Sequence, residues 1–340
     1  MKKSWMMFII TAFLIGGCSN SEEQVLEQED SEPVEEEEII EAPTAFYPFT
    51  GLATDEEEVN HRVIGVTINN HPAARPQSGL SDADVVYEIL SEYEVTRLVA
   101  LFHSQLPERV GPVRSARPYH IDLVNGYEGI LVHHGGSPEA RERVARGDIN
   151  SLDGMVYDGS LFKRSSERKA PHNSYITTEN IIEGITSLHY ETVADVQPLP
   201  FSQDGELNVE GLEAKDIEIN YYNINRVRYQ FDEQSGMYHR FNGDDQTIDY
   251  ETNQPVELSN LFVVETAHQV LDDKGRRAID LTSGGRAILF MNGIASEINW
   301  ENRDGQIVPV KDGELVLLKP GQTWINVVPT TPGMEETVTY

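Results

Sequence analysis

Apolar residues fall in two rhythms along this chain. Between residues 63 and 134 they come in blocks: Val63-Ile64-Gly65-Val66-Thr67-Ile68 closing on Asn69-Asn70, then residues 84–90, residues 97–102, and Ile130-Leu131-Val132-His133-His134. Short β-favouring blocks bounded by polar residues predict buried strands. Residues 119–124 are ambiguous between helix and strand. After His134 the pattern predicts a turn and a helix. Gly135-Gly136 allows a tight turn, Ser137 is a good N-cap, Pro138 suits the first helical position and Glu139 favours the positive end of the dipole. The helix is expected to run to about Arg146 and stop at Gly147.

From Asp216 the rhythm becomes alternation with turns. Ile217, Ile219 and Tyr221 alternate, as do Val227, Tyr229 and Phe231, with a break at Gly236 before Tyr238. Residues 287–291 meet Asn292-Gly293, the strongest short hairpin signal, and Asp304-Gly305 and Asp312-Gly313 follow. Asp273-Lys274-Gly275 marks a turn, Lys319-Pro320-Gly321-Gln322 is a type II turn candidate, and residues 324–328 close the chain as a strand. The expected architecture is α+β: an α/β domain over 46–205, then an antiparallel β-rich domain, sandwich or barrel, over 206–340.

The start of the chain follows neither rhythm. Lys2 and Lys3 precede a short apolar stretch that ends Leu14-Ile15-Gly16-Gly17-Cys18. A basic start and a short apolar core form a secretory leader, too short to span a membrane. Small residues before a cysteine match the bacterial lipobox. Residues 1–17 are then the signal peptide, and the thiol of Cys18 carries a diacylglycerol anchoring the protein to the membrane on its extracytoplasmic face. Two acyl chains suffice for stable anchoring. An ordinary signal peptide with an incidental cysteine is the alternative. Residues 18–45 follow as an acidic segment poor in apolar residues, expected to be a disordered tether or, alternatively, an acidic interaction tail.

Composition narrows the function classes. Of 340 residues, 26 are Lys or Arg and 57 are Asp or Glu, a net charge of −31, which argues against nucleic-acid binding. One cysteine excludes an internal disulfide framework and any CxxC site. No run of about 18 apolar residues marks a spanning helix.

The charge is uneven. Residues 18–60 hold 15 acids and no Lys or Arg, whereas residues 61–175 hold 13 of the 26 cations against 14 acids. Four polar motifs concentrate there: Asn69-Asn70-His71-Pro72 with Arg75-Pro76; Gly111-Pro112-Val113-Arg114-Ser115-Ala116-Arg117-Pro118 with His120 and Asp122; His133-His134-Gly135-Gly136-Ser137; and Arg164-Ser165-Ser166 with Arg168-Lys169-Ala170-Pro171-His172-Asn173. All sit at strand ends or in loops, where sites concentrate. Arginine offers a planar fork for carboxylate or phosphate, and a helix start after a strand presents free N–H groups. The candidate ligand-binding set is therefore Arg75, Arg114, Arg117, His134, Gly135, Gly136, Ser137, Lys169, His172 and Asn173. The alternatives remain open: Arg114 and Arg117 can pair with buried acids, and the glycine turn can be an ordinary β-to-α connection. No HxH, HExxH or EF-hand spacing points to a metal, no cofactor is expected, and no Ser sits in GxSxG or SxxK.

Several of these stretches are familiar. Residues 69–80, Val110-Gly111-Pro112-Val113-Arg114-Ser115-Ala116-Arg117-Pro118, His134-Gly135-Gly136-Ser137-Pro138-Glu139-Ala140, Arg168-Lys169-Ala170-Pro171-His172-Asn173 and Gly321-Gln322-Thr323-Trp324-Ile325 resemble the motifs of the YerB-like lipoproteins. The resemblance covers nearly everything after the tether, in two consecutive domains. It implies an envelope lipoprotein, and it implies no activity, since those domains have no assigned function. Residue chemistry therefore carries the expectation: a membrane-anchored binding or scaffold module for an anionic wall polymer or an envelope protein. The competitor is an envelope hydrolase acting on a phosphodiester or glycan, with His120, His134 or His172 beside Asp122.

Overall fold

The computed structural model describes residues 45–340 except 56–58, 208–209 and 223–224. The expected leader, Cys18 and nearly all of the tether lie outside the described residues. Pro43–Tyr340 form one compact unit.

In chain order the elements used below are β1 (Ile64–Asn69), β2 (Val85–Leu90), β3 (Thr96–Phe102), α1 (Pro118–Asn125), β4 (Ile130–His133), α2 (Pro138–Ala145), β5 (Ser151–Asp153), α3 (Gly154–Tyr157), β6 (Phe162–Arg164), β7 (Ser174–Thr177) and α4 (Thr178–Ser187). The second half gives β8 (Asp216–Asn220), β9 (Arg226–Asp232), β10 (Met237–Asn242), β11 (Asn260–Thr266), β12 (Gly285–Met291), β13 (Ile294–Arg303), β14 (Gln306–Lys311), β15 (Glu314–Leu315) and β16 (Thr323–Pro329).

A twelve-stranded sheet dominates, in the order β15-β14-β13-β12-β11-β16-β2-β3-β1-β4-β5, with Leu212–Glu213 paired to β13. Strand β16, near the end of the chain, lies between β11 and β2 and runs parallel to both. The sheet thus passes straight across the expected junction at residues 205/206. A smaller sheet containing β8, β9 and β10 packs on one face, and α1 and α2 cover the other. Two apolar cores result, and each draws on both halves of the sequence. One joins Val66, Val86 and Leu98 to Ile219, Tyr229 and Trp324; the other joins Tyr87, Leu123 and Leu131 to Leu289, Ile325 and Val327. Strands β1, β2 and β3 are buried along their whole length. That explains why they do not alternate, because a covered strand has no solvent face to alternate toward, and the few polar residues they carry, Glu88 among them, are buried too.

The fold-class expectation needs correction. The protein is predominantly β with several sheets, rather than an α/β domain followed by a separate sandwich or barrel. The local pattern was right about strands but silent on their partners: nothing in it distinguishes a strand that closes its own domain from one, like β16, that pairs with a strand some 240 residues earlier.

Local chemistry explains the shorter features. The ambiguous residues 119–124 are helical in α1, where Pro118 takes the first position and Tyr119, Ile121, Leu123 and Val124 are buried. Gly65 lets this helix close on the sheet, since a Cβ there would sit 2.4 Å from Val124 Cγ2. Asn292-Gly293, Asp304-Gly305 and Asp312-Gly313 each take positive φ at both residues and close two-residue hairpins, as type I′ turns require.

Candidate functional site

Strands β1, β4 and β5 are parallel neighbours. Their carboxyl ends, Asn69-Asn70, His133-His134 and Asp153, therefore emerge at one edge of the sheet, where open parallel sheets bind ligands. The loop through Arg114 is fixed across this edge. The Arg114 N–H donates to the Thr67 carbonyl at 2.8 Å, the His134 N–H to the Arg114 carbonyl at 3.0 Å, and the Ala116 N–H to the Gly135 carbonyl at 2.9 Å. Gly135 makes the turn with φ of +74°, and its N–H donates to Asp153 Oδ1 at 2.7 Å. Ser137 then caps α2, its Oγ accepting from the Ala140 N–H at 3.2 Å.

These contacts wall a cleft of about 470 Å³, within the usual range for small-ligand sites. Arg114, His134, Gly135 and Gly136 line it from the sheet edge, Arg141 from α2, Met155 from α3, Arg164 from the end of β6, and Ala170 and Pro171 from the loop that follows. Its electrostatics are one-sided. Arg164 pairs with Asp158 at 3.0 Å. Arg114 and Arg141 form no ion pair with any carboxylate among the described residues. Burial pulls Arg114 below its ordinary value, yet a guanidinium stays charged at neutral pH.

His134 is neutral, and its hydrogen bonds define the tautomer. Arg164 Nη2 lies 2.8 Å from Nε2, and Arg164 can only donate, so Nε2 accepts. Nδ1 then carries the hydrogen and donates to Ser174 Oγ at 2.8 Å. Burial, then the Arg164 charge, holds His134 below its ordinary value.

Of the candidate residues, Arg114, His134, Gly135 and Gly136 come together on this cleft, and the others do not line it. Arg75 is committed elsewhere: it donates to Asn225 Oδ1 at 2.7 Å and to Asn70 Oδ1 at 3.2 Å, and burial, aided by nearby Arg240, pulls it down to about 10. Arg117 is buried and pairs with Glu92, which also takes Arg97 at 2.6 Å. Ser137 is occupied as a cap. Lys169 is exposed outside the lining. The His172 ring stacks on His71 at 4.7 Å, and its Nδ1 accepts from Asn69 Nδ2 at 2.8 Å. Asn173 supports the wall from behind, its Oδ1 accepting from Arg164 Nη1 at 3.3 Å.

The cleft also includes two cations absent from the candidate set. Arg164 was visible in a motif but not singled out. Arg141 looked like an ordinary solvent-facing helix residue; the available signal was its place on the first turn after the Ser137 cap, beside the glycine turn.

The expected pairing of His120 with Asp122 does not form. His120 is fully buried, accepts the Arg117 N–H at 3.2 Å, and is driven well below its ordinary value by burial and then by Arg97 and Arg117. Asp122 instead pairs with Arg143 at 2.7 Å. Among the described residues no group of His, Cys, Asp and Glu is placed to hold a metal ion. Other cavities differ in chemistry. One of about 810 Å³, lined by Phe46, Tyr47, Pro198 and Phe201 among others, has no Lys or Arg in its wall among the described residues. Another, of about 890 Å³, sets Lys311 among five acids. A third, of about 270 Å³, gathers Arg117, Arg276 and Arg277, but Glu92 and Asp272 hold the first two and Arg277 donates to the Tyr93 carbonyl at 2.6 Å.

Comparison with known proteins places this geometry in a family. Residues 49–191 match the N-terminal domain, and residues 217–325 the C-terminal domain, of a protein of unknown function, DUF3048. The chain is 43% identical over 285 residues to a Bacillus subtilis (strain 168) protein named "Putative lipoprotein YerB", covering 83% of this chain and 86% of that protein. It is also similar to the crystal structure of the YerB protein from Bacillus subtilis, with a TM-score of 0.80 and 41% identity over 87% of this chain and 100% of that one.

Proposed function

Because the chain belongs to the DUF3048 family, whose matched domains carry no assigned activity, we propose a function from its own geometry: it is a membrane-anchored, extracytoplasmic binding module whose cleft grips an anionic envelope ligand. The anchor is the Cys18 diacylglycerol. Its support is the run Leu14-Ile15-Gly16-Gly17-Cys18 and the lipoprotein name of the relative. Arg114 and Arg141 hold the anion, Arg164, paired with Asp158, braces the facing wall, and the turn at Gly135-Gly136 lets the anion approach the backbone.

One observation carries this reading. Arg114 is half-buried yet has no carboxylate partner among the described residues. Desolvating a charge without a counter-charge is costly, and in a protein of net charge −31 acids to neutralise it are plentiful. The chain supplies Glu92 to Arg117 and Asp272 to Arg276, but leaves Arg114 to an external anion. A cationic recess in an acidic surface also steers an anion to one place.

The test is retention on purified anionic wall polymer across a salt series. The wild-type chain binds and elutes as salt rises. Arg114→Gln with Arg141→Gln elutes at markedly lower salt with an unchanged melting temperature. Identical elution of variant and wild type refutes the reading.

A further inference from the structure

Apolar side chains share the lining of the cleft with its arginines. Met155 is 68% exposed and Val156, its neighbour on α3, is 70% exposed. Met155 lines the cleft and packs near the glycine turn: a Cβ on Gly135 would lie 3.2 Å from its Cγ. Across the opening stand Ala170 and Pro171, both exposed. Single exposed apolar residues are ordinary, but here Met155, Ala170 and Pro171 all line the same cationic recess, and Val156 continues the apolar surface just outside its lining. The recess is also several times larger than an inorganic anion needs, at about 470 Å³.

Resting on the reading that this cleft holds an anion, we infer that its ligand is an amphiphilic phosphate: a phosphate ester head held by Arg114 and Arg141, joined to an aliphatic chain lying over Met155 and out onto Val156. Arg114 and Arg141, the two guanidinium groups of the lining without a carboxylate partner among the described residues, bring two positive charges, against the single negative charge of a carboxylate. A phosphate monoester has three free oxygens and nearly two negative charges. Its chain would cover apolar surface that otherwise stays in water. A lipid-anchored protein works within reach of such molecules, whether they sit in a bilayer or are presented singly.

The experiment compares octyl phosphate, below its micellar concentration, with inorganic phosphate by calorimetry on the chain from residue 18 carrying Cys18→Ser. Octyl phosphate is expected to bind at least about tenfold more tightly. Met155→Ser with Val156→Ser should abolish that advantage and leave inorganic phosphate unaffected. Arg114→Gln should weaken both ligands, and Leu317→Ser, an exposed apolar side chain on another cavity, should change neither. Equal affinity for the two phosphates, or an advantage that survives the Met155/Val156 change, overturns the amphiphile and leaves the anion reading standing. Binding of neither phosphate overturns both. Co-sedimentation with phosphatidic acid vesicles, lost in the Met155/Val156 variant, identifies a bilayer lipid as the source; octyl phosphate binding without it identifies a singly presented phosphate.

Discussion

Replacing Arg240 by Met should cost the whole fold, not one half of it. Glu88, at the centre of β2, is 0% exposed, as is Arg240 on β10. Arg240 Nη2 donates to Glu88 Oε2 at 2.8 Å, joining residues 152 positions apart. Oε1 of Glu88 accepts from Asn70 at 3.0 Å, Thr96 at 2.8 Å and Asn225 at 3.2 Å. The guanidinium also lies 4.7 Å over the Trp324 ring and donates to Thr247 Oγ1 at 2.7 Å. Burial works against the Arg240 charge, but Glu88 and then Tyr229 outweigh it and hold the group above its ordinary value. Removing one partner leaves the other buried and uncompensated, a loss of about 3–5 kcal/mol. At about 2 °C per kcal/mol for a chain of this size, the melting temperature falls by about 6–10 °C. Glu88→Gln alone should cost a similar amount. Arg240→Met with Glu88→Gln should cost less than the two single losses together, by about 1–3 kcal/mol, because the pair acts as a unit. Thermal and urea unfolding by near- and far-ultraviolet circular dichroism reads all three variants. A loss below about 1 kcal/mol in both single variants, strict additivity, or separate transitions for the two halves would refute the reasoning.

Three further outcomes follow. Gly135→Ala should destabilise by about 1–2 kcal/mol, since its φ of +74° favours glycine over alanine and the new Cβ meets Met155; the urea midpoint measures it, and no change would show that the turn relaxes freely. Burial pulls His103 and His268 down to about 4, and drives His120 and His133 lower than usual. At these four histidines the unfolded chain binds more protons, so their contribution is complete above about pH 6.5 and is lost as pH falls from there toward about 4, outweighing the opposite contribution of Asp84, which burial pushes up to about 6. Melting temperatures from pH 8 to 4.5 check the sign, and a rise on acidification would contradict it. Ending the chain at residue 205 removes β16 and leaves β2 as an open apolar edge. That fragment should aggregate or oligomerise on size exclusion, and a stable monomer would show that the first half closes by itself.

How far the sequence shows all this depends on the range of the interaction. Features set within a few residues were legible: the Ser137 cap, the glycine turn and the three hairpins follow from neighbouring backbone chemistry. The ambiguity of residues 119–124 was resolved by what packs on them, since the same apolar string suits either a sheet or the underside of α1. Features set across the chain were not legible. Nothing near Glu88 announces Arg240, and nothing near residues 324–328 announces β2. The site divides the same way. Arg114 and Arg117 look alike in the sequence, three residues apart on one motif, yet Glu92 neutralises only the second. Arg141 and Arg164 reach the cleft from a helix and a hairpin strand, so their convergence is a property of the fold.

The most direct measurement is diffraction from crystals soaked in tungstate, a tetrahedral anion visible by its anomalous signal. One dominant peak within hydrogen-bond reach of the Arg114 and Arg141 guanidinium groups, lost in the Arg114→Gln with Arg141→Gln variant, is the expected result. A dominant peak at Arg276 and Arg277 instead, or none in the cleft at concentrations that label other sites, would contradict the claim that this recess is built for an anion.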